Sequence, residues 1–258
     1  MLTAYFDESY DGRTMCIGGW IARDEVWTRI DAKWKQRIDY ENRISARKGT
    51  GSLSRYHASD CASMCKEFEG WDEPRQISLT KRLIAVIGEG NRKRIGSQPI
   101  GVACGLSLLE LHNVFPLIER TALKWQAYRV CMVKALLLTG QVMRRNFTNE
   151  RVTVIYDRTK EFNSAAQMAY ADALPEDNPM AKYFVSIAPG GWEDFVALQS
   201  ADFLAFEGFK LTGSCKRGKE HFRLSLQGIV GKHVPLAVGF FTEDNLRELT
   251  AFGVSLGV

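Results

Sequence analysis

Three aspartates in separate apolar contexts constrain this chain more than any other feature of its sequence. Asp7 and Asp157 each follow a short run of aromatic, aliphatic and β-branched residues, and Asp202 lies within the apolar segment 198–206. An ionised aspartate is costly to bury unless another group pairs with it. A divalent cation held by several carboxylates would meet that cost at all three positions. We therefore expect the fold to bring the three carboxylates to one site.

The composition is typical of a single folded domain. The chain has 258 residues, a formal net charge of +4 and 45% hydrophobic residues. At this length roughly 70–75% of the unfolded surface can be buried, so we predict one domain over residues 1–258. The basic excess permits nucleic acid as a partner but does not require it. Basic clusters in segments 43–55, 91–94 and 216–219 are consistent with phosphate contacts or with ordinary solvated loops.

The sequence gives no indication of a membrane protein. No stretch approaches the ~18 uninterrupted apolar residues of a membrane span, and no secretory signal precedes the first predicted strand. We therefore expect a cytoplasmic protein whose six cysteines are buried thiols rather than disulfides. The aromatic side of the first helix, with Trp27, Trp34 and Tyr40, suits a core or an interface, so the oligomeric state stays open and includes a homodimer.

The order of predicted elements indicates a mixed α/β domain. A strand at 2–7 is followed by an Asp-Gly turn and an antiparallel strand at 14–22, in which Gly18 and Gly19 mark a bulge or a close backbone approach. Asp24 is expected to cap a first helix that runs to about residue 45. A helical insertion is predicted over about 24–95, and it contains a mobile loop at 43–55 and helices at 58–68 and 74–88.

The second half predicts strands that alternate with helices. Strands are expected at 99–106, 151–156 and 183–188, and helices from 107 or 116 to about 145 and at 163–174, 193–211 and 243–252, with a turn at 189–191 and one more apolar stretch at 236–241. This order predicts a mixed sheet with an antiparallel start and parallel later strands, flanked by helices. The strand before Asp157 should be a parallel neighbour of the first strand, so that Asp7 and Asp157 lie side by side.

Clustered carboxylates favour metal-dependent phosphodiester hydrolysis. Mg²⁺ and Mn²⁺ prefer carboxylate and water oxygens, and two such ions ~3.5–4 Å apart can hold the attacking and leaving oxygens. Asp7, Asp157 and Asp202 are the predicted metal ligands and catalytic residues, with Glu8 as a possible fourth acid. In a regular strand Glu8 points away from Asp7, so it serves the site only if the strand ends at Asp7. The alternative is that each aspartate starts a turn or caps a helix.

Three polar residues near the acids are candidates for substrate binding: Gln199, Arg158 and Ser9. Gln199 precedes Asp202 by three residues and therefore shares its helical face, where it could bind a ligand, a water or Asp202 itself. The alternative is a solvent-facing polar stripe formed by Gln199, Asp202 and Glu207.

Four short motifs resemble those of one bacterial family. They are residues 5–9 (Tyr-Phe-Asp-Glu-Ser), 56–60 (Tyr-His-Ala-Ser-Asp), 154–157 (Val-Ile-Tyr-Asp) and 198–205 (Leu-Gln-Ser-Ala-Asp-Phe-Leu-Ala). In order and rough spacing across residues 1–210 they resemble the family known as domain of unknown function 3800. The resemblance implies a ribonuclease-H-like fold, in which the first and fourth strands each carry an acid and a later helix supplies another.

Carried over position by position, the implied acids are the three aspartates named above. The chain departs from the family at Tyr10, where a glycine is usual, and that departure removes no ligand. The first helix also lacks an obvious counterpart of the glutamate that ribonucleases H place there. Either Glu8, Asp60 or Glu110 takes that role, or the site has three acids.

His57 suits a proton shuttle or the positioning of a leaving group, and equally a helix cap or a core edge. His57, Cys61 and Cys65 recur at four-residue spacing, which would place them on one helical face and invites a zinc hypothesis. Structural zinc usually takes four ligands, and no fourth partner is evident.

The leading functional hypothesis is a Mg²⁺- or Mn²⁺-dependent nuclease that hydrolyses phosphodiester bonds in DNA or RNA. A non-catalytic module that binds nucleic acid or protein on the same fold is the alternative. An ATP-handling protein is disfavoured, because residues 7–9 lack the glycine of that class and no second copy of the motif exists. The choice between DNA and RNA, and between internal and terminal cleavage, stays open.

Overall fold

The structure, a computed structural model, describes residues 1–90, 94, 96–215 and 223–251. Most of the basic clusters predicted at 91–94 and 216–219, and the end of the last predicted helix at 252, lie outside these residues.

Six strands form one sheet in the described part of the chain. They are β1 (Leu2–Tyr10), β2 (Thr14–Arg23), β3 (Ile100–Ser107), β4 (Val152–Asp157), β5 (Phe184–Gly190) and β6 (Leu236–Phe240). The helices are α1 (Asp24–Lys48), α2 (Ala58–Ser63), α3 (Glu73–Ile87), α4 (Leu108–Val114), α5 (Arg120–Asn146), α6 (Asn163–Ala173), α7 (Ala197–Cys215), α8 (Leu224–Gly231) and α9 (Glu243–Ala251), with short 3-10 helices at Lys66–Phe68 and Ala181–Tyr183.

The sheet is mixed, and its order is β5-β4-β1-β2-β3-β6. β2 is antiparallel to both of its neighbours, β1 and β3, whereas β4 is parallel to β1, β5 to β4 and β6 to β3. The predicted mixed sheet with an antiparallel start is confirmed. Because β2 alone runs in the opposite direction, the carboxyl ends of the other five strands lie at one edge of the sheet.

The first hairpin is closed by the side chain of Asp11. Its Oδ1 accepts hydrogen bonds from the backbone N–H groups of Arg13 and Thr14, both at 2.8 Å, in the manner expected of aspartate in tight turns. The prediction that β1 ends at Asp7 is wrong. β2 supplies a partner for every later residue as far as Tyr10, so the strand continues to the turn.

Alternate residues of β1 face two separate layers of helices, as the period of a strand requires. Ala4 and Phe6 lie in a core that contains α5 and α6. Tyr5 lies in a second core with α1 and α7. The two faces of the sheet are therefore both covered, and a residue's position in β1 decides which helices it meets.

Within the helical insertion, three helix boundaries differ from the prediction: both ends of α1 and the end of α2. α1 continues to Lys48, through the first part of the predicted loop, and ends where Gly49 adopts the left-handed conformation (φ 69°). Asp24 is not the cap, because Arg23 occupies that position and Asp24 lies in the first turn. α2 stops at Ser63, well short of the predicted residue 68.

Two later boundaries also shift. The long helix predicted to start at 107 or at 116 is preceded by a separate short one: α4 ends at Val114, Pro116 has no N–H to continue it, and α5 begins at Arg120. β5 extends through Gly190, so the turn predicted at 189–191 comes later. The backbone N–H groups of Asp194 and Phe195 both donate to the Gly191 carbonyl, and α7 begins only at Ala197.

No described helix combines the length and apolar character needed to cross a lipid bilayer. The six cysteines are free thiols, and four of them are buried.

Candidate functional site

Asp7 and Asp157 occupy neighbouring strands at the same edge of the sheet. The parallel ladder between β1 and β4 runs from Leu2 opposite Val152 to Phe6 opposite Tyr156. Asp7 and Asp157 are the next residue on each strand, and the predicted parallel pairing is confirmed. The register therefore brings two acids distant in sequence to adjacent positions.

Helix α7 brings Asp202 to the same region because it lies directly on the sheet. A Cβ atom on Gly18 would be 2.3 Å from the backbone nitrogen of Ala205, which lies one helical turn beyond Asp202. Gly18 is also the β2 partner of Asp7. The glycine thus marks the close backbone approach considered from the sequence, and the approach sets the distance between Asp202 and β1.

The charges of four carboxylates act on one another. Burial raises the pKa of Asp7 well above its ordinary value, and the negative charges of Glu8, Asp202 and Asp157 raise it further. The Glu8 backbone N–H donates to Asp7 Oδ1 at 2.7 Å, which partly offsets the increase. An acid whose pKa is raised by burial and by like charges is typical of a functional site.

Glu8 takes part in this cluster despite its strand position. β1 does not end at Asp7, so the condition set for Glu8 is not met, and Glu8 follows Phe6 onto the face covered by α5. Burial and then the charge of Asp157 nevertheless raise the pKa of Glu8 to about 8. Its Oε2 is buried and has no hydrogen-bond partner among the described residues. Glu8, Asp60 and Glu110 were the candidates for the acid that the first helix lacks. Of these, Glu8 is the one whose charge raises the pKa of Asp7.

Asp202 also has a structural role. Its side chain is buried, and Oδ2 accepts a 2.6 Å hydrogen bond from the backbone N–H of Ala58, the first residue of α2. Burial raises the pKa of Asp202 to about 6, against the opposing effects of the His57 charge and this hydrogen bond. Asp202 therefore links α7 to the start of α2 while it faces the other acids.

His57 occupies the N-cap position of α2 but makes no side-chain capping bond. Its Nδ1 lies 3.0 Å from Asp60 Oδ2 and 3.2 Å from Ser59 Oγ. Lys66 Nζ is 3.1 Å from the same Asp60 oxygen. Asp60 is therefore already paired with two side chains, which leaves it less suited than Glu8 to join the cluster.

The helical face proposed for zinc does not exist. α2 ends at Ser63, and Met64 takes the left-handed conformation (φ 49°), so Cys65 lies beyond the helix. The Cys65 thiol is 3.6 Å from Asp60 Oδ1. Cys61 is buried, and burial raises the pKa of its thiol to about 12, which disfavours the thiolate that zinc requires.

The alternative of a solvent-facing polar stripe on α7 is wrong, because Gln199, Asp202 and Glu207 are all buried. The Gln199 side-chain oxygen accepts hydrogen bonds from Trp34 Nε1 at 3.0 Å and from the Tyr56 backbone N–H at 2.8 Å. Its oxygen is thus committed to holding α1 and the segment before α2 against α7. Gln199 would therefore have to bind a ligand through its side-chain amide nitrogen, as a hydrogen-bond donor.

The other two candidates for substrate binding lie beside the acids in the chain. The backbone N–H of Arg158 donates to the Gly190 carbonyl at 2.9 Å, and the charge of Arg158 lowers the pKa of Asp157. Ser9 is half-buried on β1, opposite Cys16 of β2. Only Arg158 is seen to act on the carboxylates.

Two cations near the site were not singled out from the sequence. Arg55 lowers the pKa of Asp157 more than any other charge, and its guanidinium carbon lies 4.9 Å from the centre of the Trp192 ring. The basic composition of segment 43–55 was a partial signal for it. Lys124 on α5 lowers the pKa of Glu8 and has no comparable signal in the sequence.

The described residues contain no group of three or more His, Cys, Asp or Glu side chains arranged as a formed metal centre. The acids are thus close enough to perturb one another without standing in a ligating arrangement. Comparison with known proteins found no matching family model and no matching curated protein. The chemistry of the site therefore has to be argued from the carboxylates and cations themselves.

Proposed function

We propose that this protein is a Mg²⁺- or Mn²⁺-dependent nuclease of the ribonuclease-H-like class that hydrolyses phosphodiester bonds in DNA or RNA. The observation that carries the proposal is the convergence of Asp7 and Asp157 at neighbouring strand ends with Glu8 and Asp202, whose charges raise the pKa of Asp7 beyond the effect of burial. Such repulsion costs stability, and a bound cation would remove that cost.

The strand order supports the proposed class. The resemblance implies acids on the first and fourth strands and on a later helix, and β4 is the direct parallel neighbour of β1 in this sheet. α7 packs on the same part of the sheet, at Gly18. The three elements that should carry acids are therefore adjacent.

The donor set suits a hard divalent cation. Carboxylate oxygens are the preferred protein ligands of Mg²⁺ and Mn²⁺, and the buried Glu8 Oε2 lacks a partner among the described residues. Asp7, Asp157 and Asp202 would hold the ion, with Glu8 as the fourth acid. When bound, the ion would supply Lewis-acid activation of water and of the scissile phosphate.

Two side chains suit contact with the phosphate backbone. Arg55 and Arg158 both lower the pKa of Asp157; Arg158 is exposed and Arg55 is half-buried. An arginine fork can donate two hydrogen bonds to one phosphate group. His57, half-buried beside Asp202, would move a proton to or from the leaving group.

The direct experiment compares Asp7→Asn with Asp39→Asn. Asp39 is an exposed residue of α1 and serves as a control for loss of one negative charge. We expect Mn²⁺-dependent cleavage of single- or double-stranded DNA or RNA by the wild type and by Asp39→Asn, and a loss of at least about 100-fold in Asp7→Asn. Undiminished cleavage by a folded Asp7→Asn protein would overturn the proposal.

A non-catalytic binding module is the second candidate, and two observations favour it. The acids do not form a metal centre in the described residues, and Asp202 has a structural partner in Ala58. Calorimetric titration with Mn²⁺ separates the two functions. Binding of millimolar affinity or better that is lost in Asp7→Asn supports the nuclease, and no binding at all supports the module.

A further inference from the structure

A groove of about 450 Å³ lies between α1 and α3, and its lining is strongly basic. Four cationic side chains line it: Lys33, Arg37 and Arg43 of α1, and Arg82 of α3. The other lining residues are Gln36, Tyr40, Ala85 and Val86, so among the residues that the structure describes no acid lines the groove. A concave surface lined by one sign of charge attracts ligands of the opposite sign.

The α1 side of the groove is a continuous stripe. Its members, at positions 33, 36, 37, 40 and 43, recur at spacings of three and four residues, which places them along one side of the helix. Trp34 and Ile38, on the other side of α1, lie in the core that also contains α7. From Lys33 to Arg43 the stripe is about 15 Å long at the rise of an α-helix. Phosphates follow one another by ~3.4 Å per strand along a duplex, so this length matches several phosphates rather than one.

Two of the four cations already have an acidic partner. Lys33 Nζ lies 2.5 Å from Glu89 Oε1, but both side chains are exposed, and such a pair contributes little stability. A phosphate can therefore replace Glu89. Arg37 pairs with Glu41, which also pairs with Arg75 at 3.1 Å. One carboxylate thus faces two guanidinium groups, and positive charge remains.

The other two cations, Arg43 and Arg82, are exposed and form no ion pair with any described residue. Burial lowers the pKa of Arg37, and the charge of Arg82 on the facing helix lowers it further. The guanidinium carbons of Arg37 and Arg43 lie 4.6 and 6.0 Å from the centre of the Tyr40 ring, which holds them near each other. The groove therefore keeps like charges together, and an anionic ligand would neutralise them.

We propose that this groove binds the phosphate backbone of a nucleic-acid strand, at a second site whose lining shares no residue with the carboxylate cluster. Arg37, Arg43 and Arg82 contact successive phosphate groups, and the length of the stripe favours a strand over a free phosphate ion. The identity of the ligand rests on the proposed function, whereas binding in the groove requires no cleavage.

The experiment measures binding without cleavage, by fluorescence anisotropy in EDTA over a range of salt concentrations, with labelled single-stranded DNA and RNA of ~20 nucleotides. The double variant Arg43→Gln/Arg82→Gln is compared with Lys35→Gln/Arg47→Gln, which removes two exposed cations of α1 outside the groove. All four side chains are exposed, so both variants should fold.

We expect the groove variant to lose at least about tenfold in affinity and the control variant to bind nearly as the wild type does. The slope of log affinity against log salt should become shallower by about 1.4 in the groove variant, since each lost phosphate contact changes it by ~0.7 for single strands. Equal losses in the two variants, or no binding of either probe by the wild type, overturn the proposal.

Two further measurements separate this site from the carboxylate cluster and from a site for one phosphate. Asp7→Asn should bind the strand at least as tightly as the wild type. A wild type that binds through the groove but cleaves nothing supports the groove and contradicts the nuclease, and normal binding by the groove variant of a cleaving enzyme does the opposite. Inorganic phosphate at matched ionic strength should not displace the strand, and complete displacement at millimolar phosphate overturns the assignment to a strand.

Discussion

Gly18 of β2 and Ala205 of α7 are in backbone contact: a Cβ atom at position 18 would lie 2.3 Å from the Ala205 nitrogen. Gly18 pairs with Asp7 across the hairpin, and Ala205 follows Asp202 by one helical turn. One small residue thus sets the separation of two of the acids.

Gly18→Ala is therefore expected to push α7 away from the sheet. A contact of this length with backbone cannot be relieved by rotating a side chain, so we expect a loss of roughly 1–3 kcal/mol in the free energy of unfolding. Gly12→Ala, where nothing lies within 4 Å of the added Cβ, is the matched control and should be nearly neutral. Urea unfolding of both variants gives the comparison, and equal stabilities would contradict the packing argument.

Gln199→Leu removes the acceptor shared by Trp34 Nε1 and the Tyr56 N–H. Two buried donors are then left unsatisfied, at roughly 1–3 kcal/mol each, so the variant should be strongly destabilised. Gln36→Leu, at an exposed position of α1, is the control. Thermal unfolding measures the difference in stability. A Gln199→Leu protein as stable as the wild type would show that the fold does not need these two hydrogen bonds.

Without divalent metal, stability should fall as pH rises through neutrality. The folded-state pKa of Glu8, about 8, lies above its ordinary 4.5, so between these values the folded protein binds more protons than the unfolded chain. Glu8 therefore favours the fold fully below pH 4.5 and loses that effect as pH passes 8. Asp202 behaves likewise between 3.8 and about 6. Glu8→Gln should flatten the upper part of the profile, as followed by urea titration at successive pH values in EDTA.

Asp7→Asn should make the metal-free protein more stable. The asparagine removes a charge that Glu8, Asp202 and Asp157 repel, and its side-chain oxygen can still accept from the Glu8 N–H. We expect an increase of roughly 1–3 kcal/mol at pH 8 in EDTA. Addition of Mn²⁺ should stabilise the wild type and leave Asp7→Asn unchanged. A variant less stable than the wild type in EDTA would argue against mutual repulsion.

Arg55→Gln should raise the pKa values of Asp157 and Asp202, since the charge of Arg55 lowers both. NMR titration of the carboxyl carbons reports those values directly. If Arg55 also binds phosphate, affinity for nucleic acid should fall roughly tenfold, the effect of one charge-assisted hydrogen bond. Arg47→Gln, at an exposed position in the last turn of α1, controls for the loss of one positive charge. Equal losses in both variants would indicate a general electrostatic effect.

The sequence was sufficient for the elements with strong local signals. The Asp-Gly turn predicted the first hairpin, and the β-branched run before Asp157 predicted β4 and its parallel pairing with β1. The ends of strands and helices were predicted less well where contacts with other parts of the chain decide them. β1 continues past Asp7 because β2 pairs with it, and α1 continues to Lys48 until Gly49 ends it.

The candidate site shows the same division. Local sequence alone identified Asp7, Asp157 and Asp202 as acids in apolar surroundings. Sequence could not show that Glu8, on the other face of β1, is close enough for the charges of Asp157 and Asp202 to raise its pKa. Nor could it show that the charge of Lys124 on α5 lowers that pKa. It also could not show that the Gln199 oxygen is already used by Trp34 and Tyr56.

What the sequence by itself determined is the set of acids and the order of strands that carries them, because residue type and hydrophobic period act locally. Tertiary structure alone decided their environment, because burial and Coulomb interactions depend on distances between residues remote in the chain. The contact of Gly18 with Ala205 is an example in which a residue type read from the sequence depends for its effect on the tertiary structure. The glycine is visible in the sequence, but only the tertiary structure shows that α7 packs on it. That packing brings Asp202 to the edge of the sheet that carries Asp7 and Asp157.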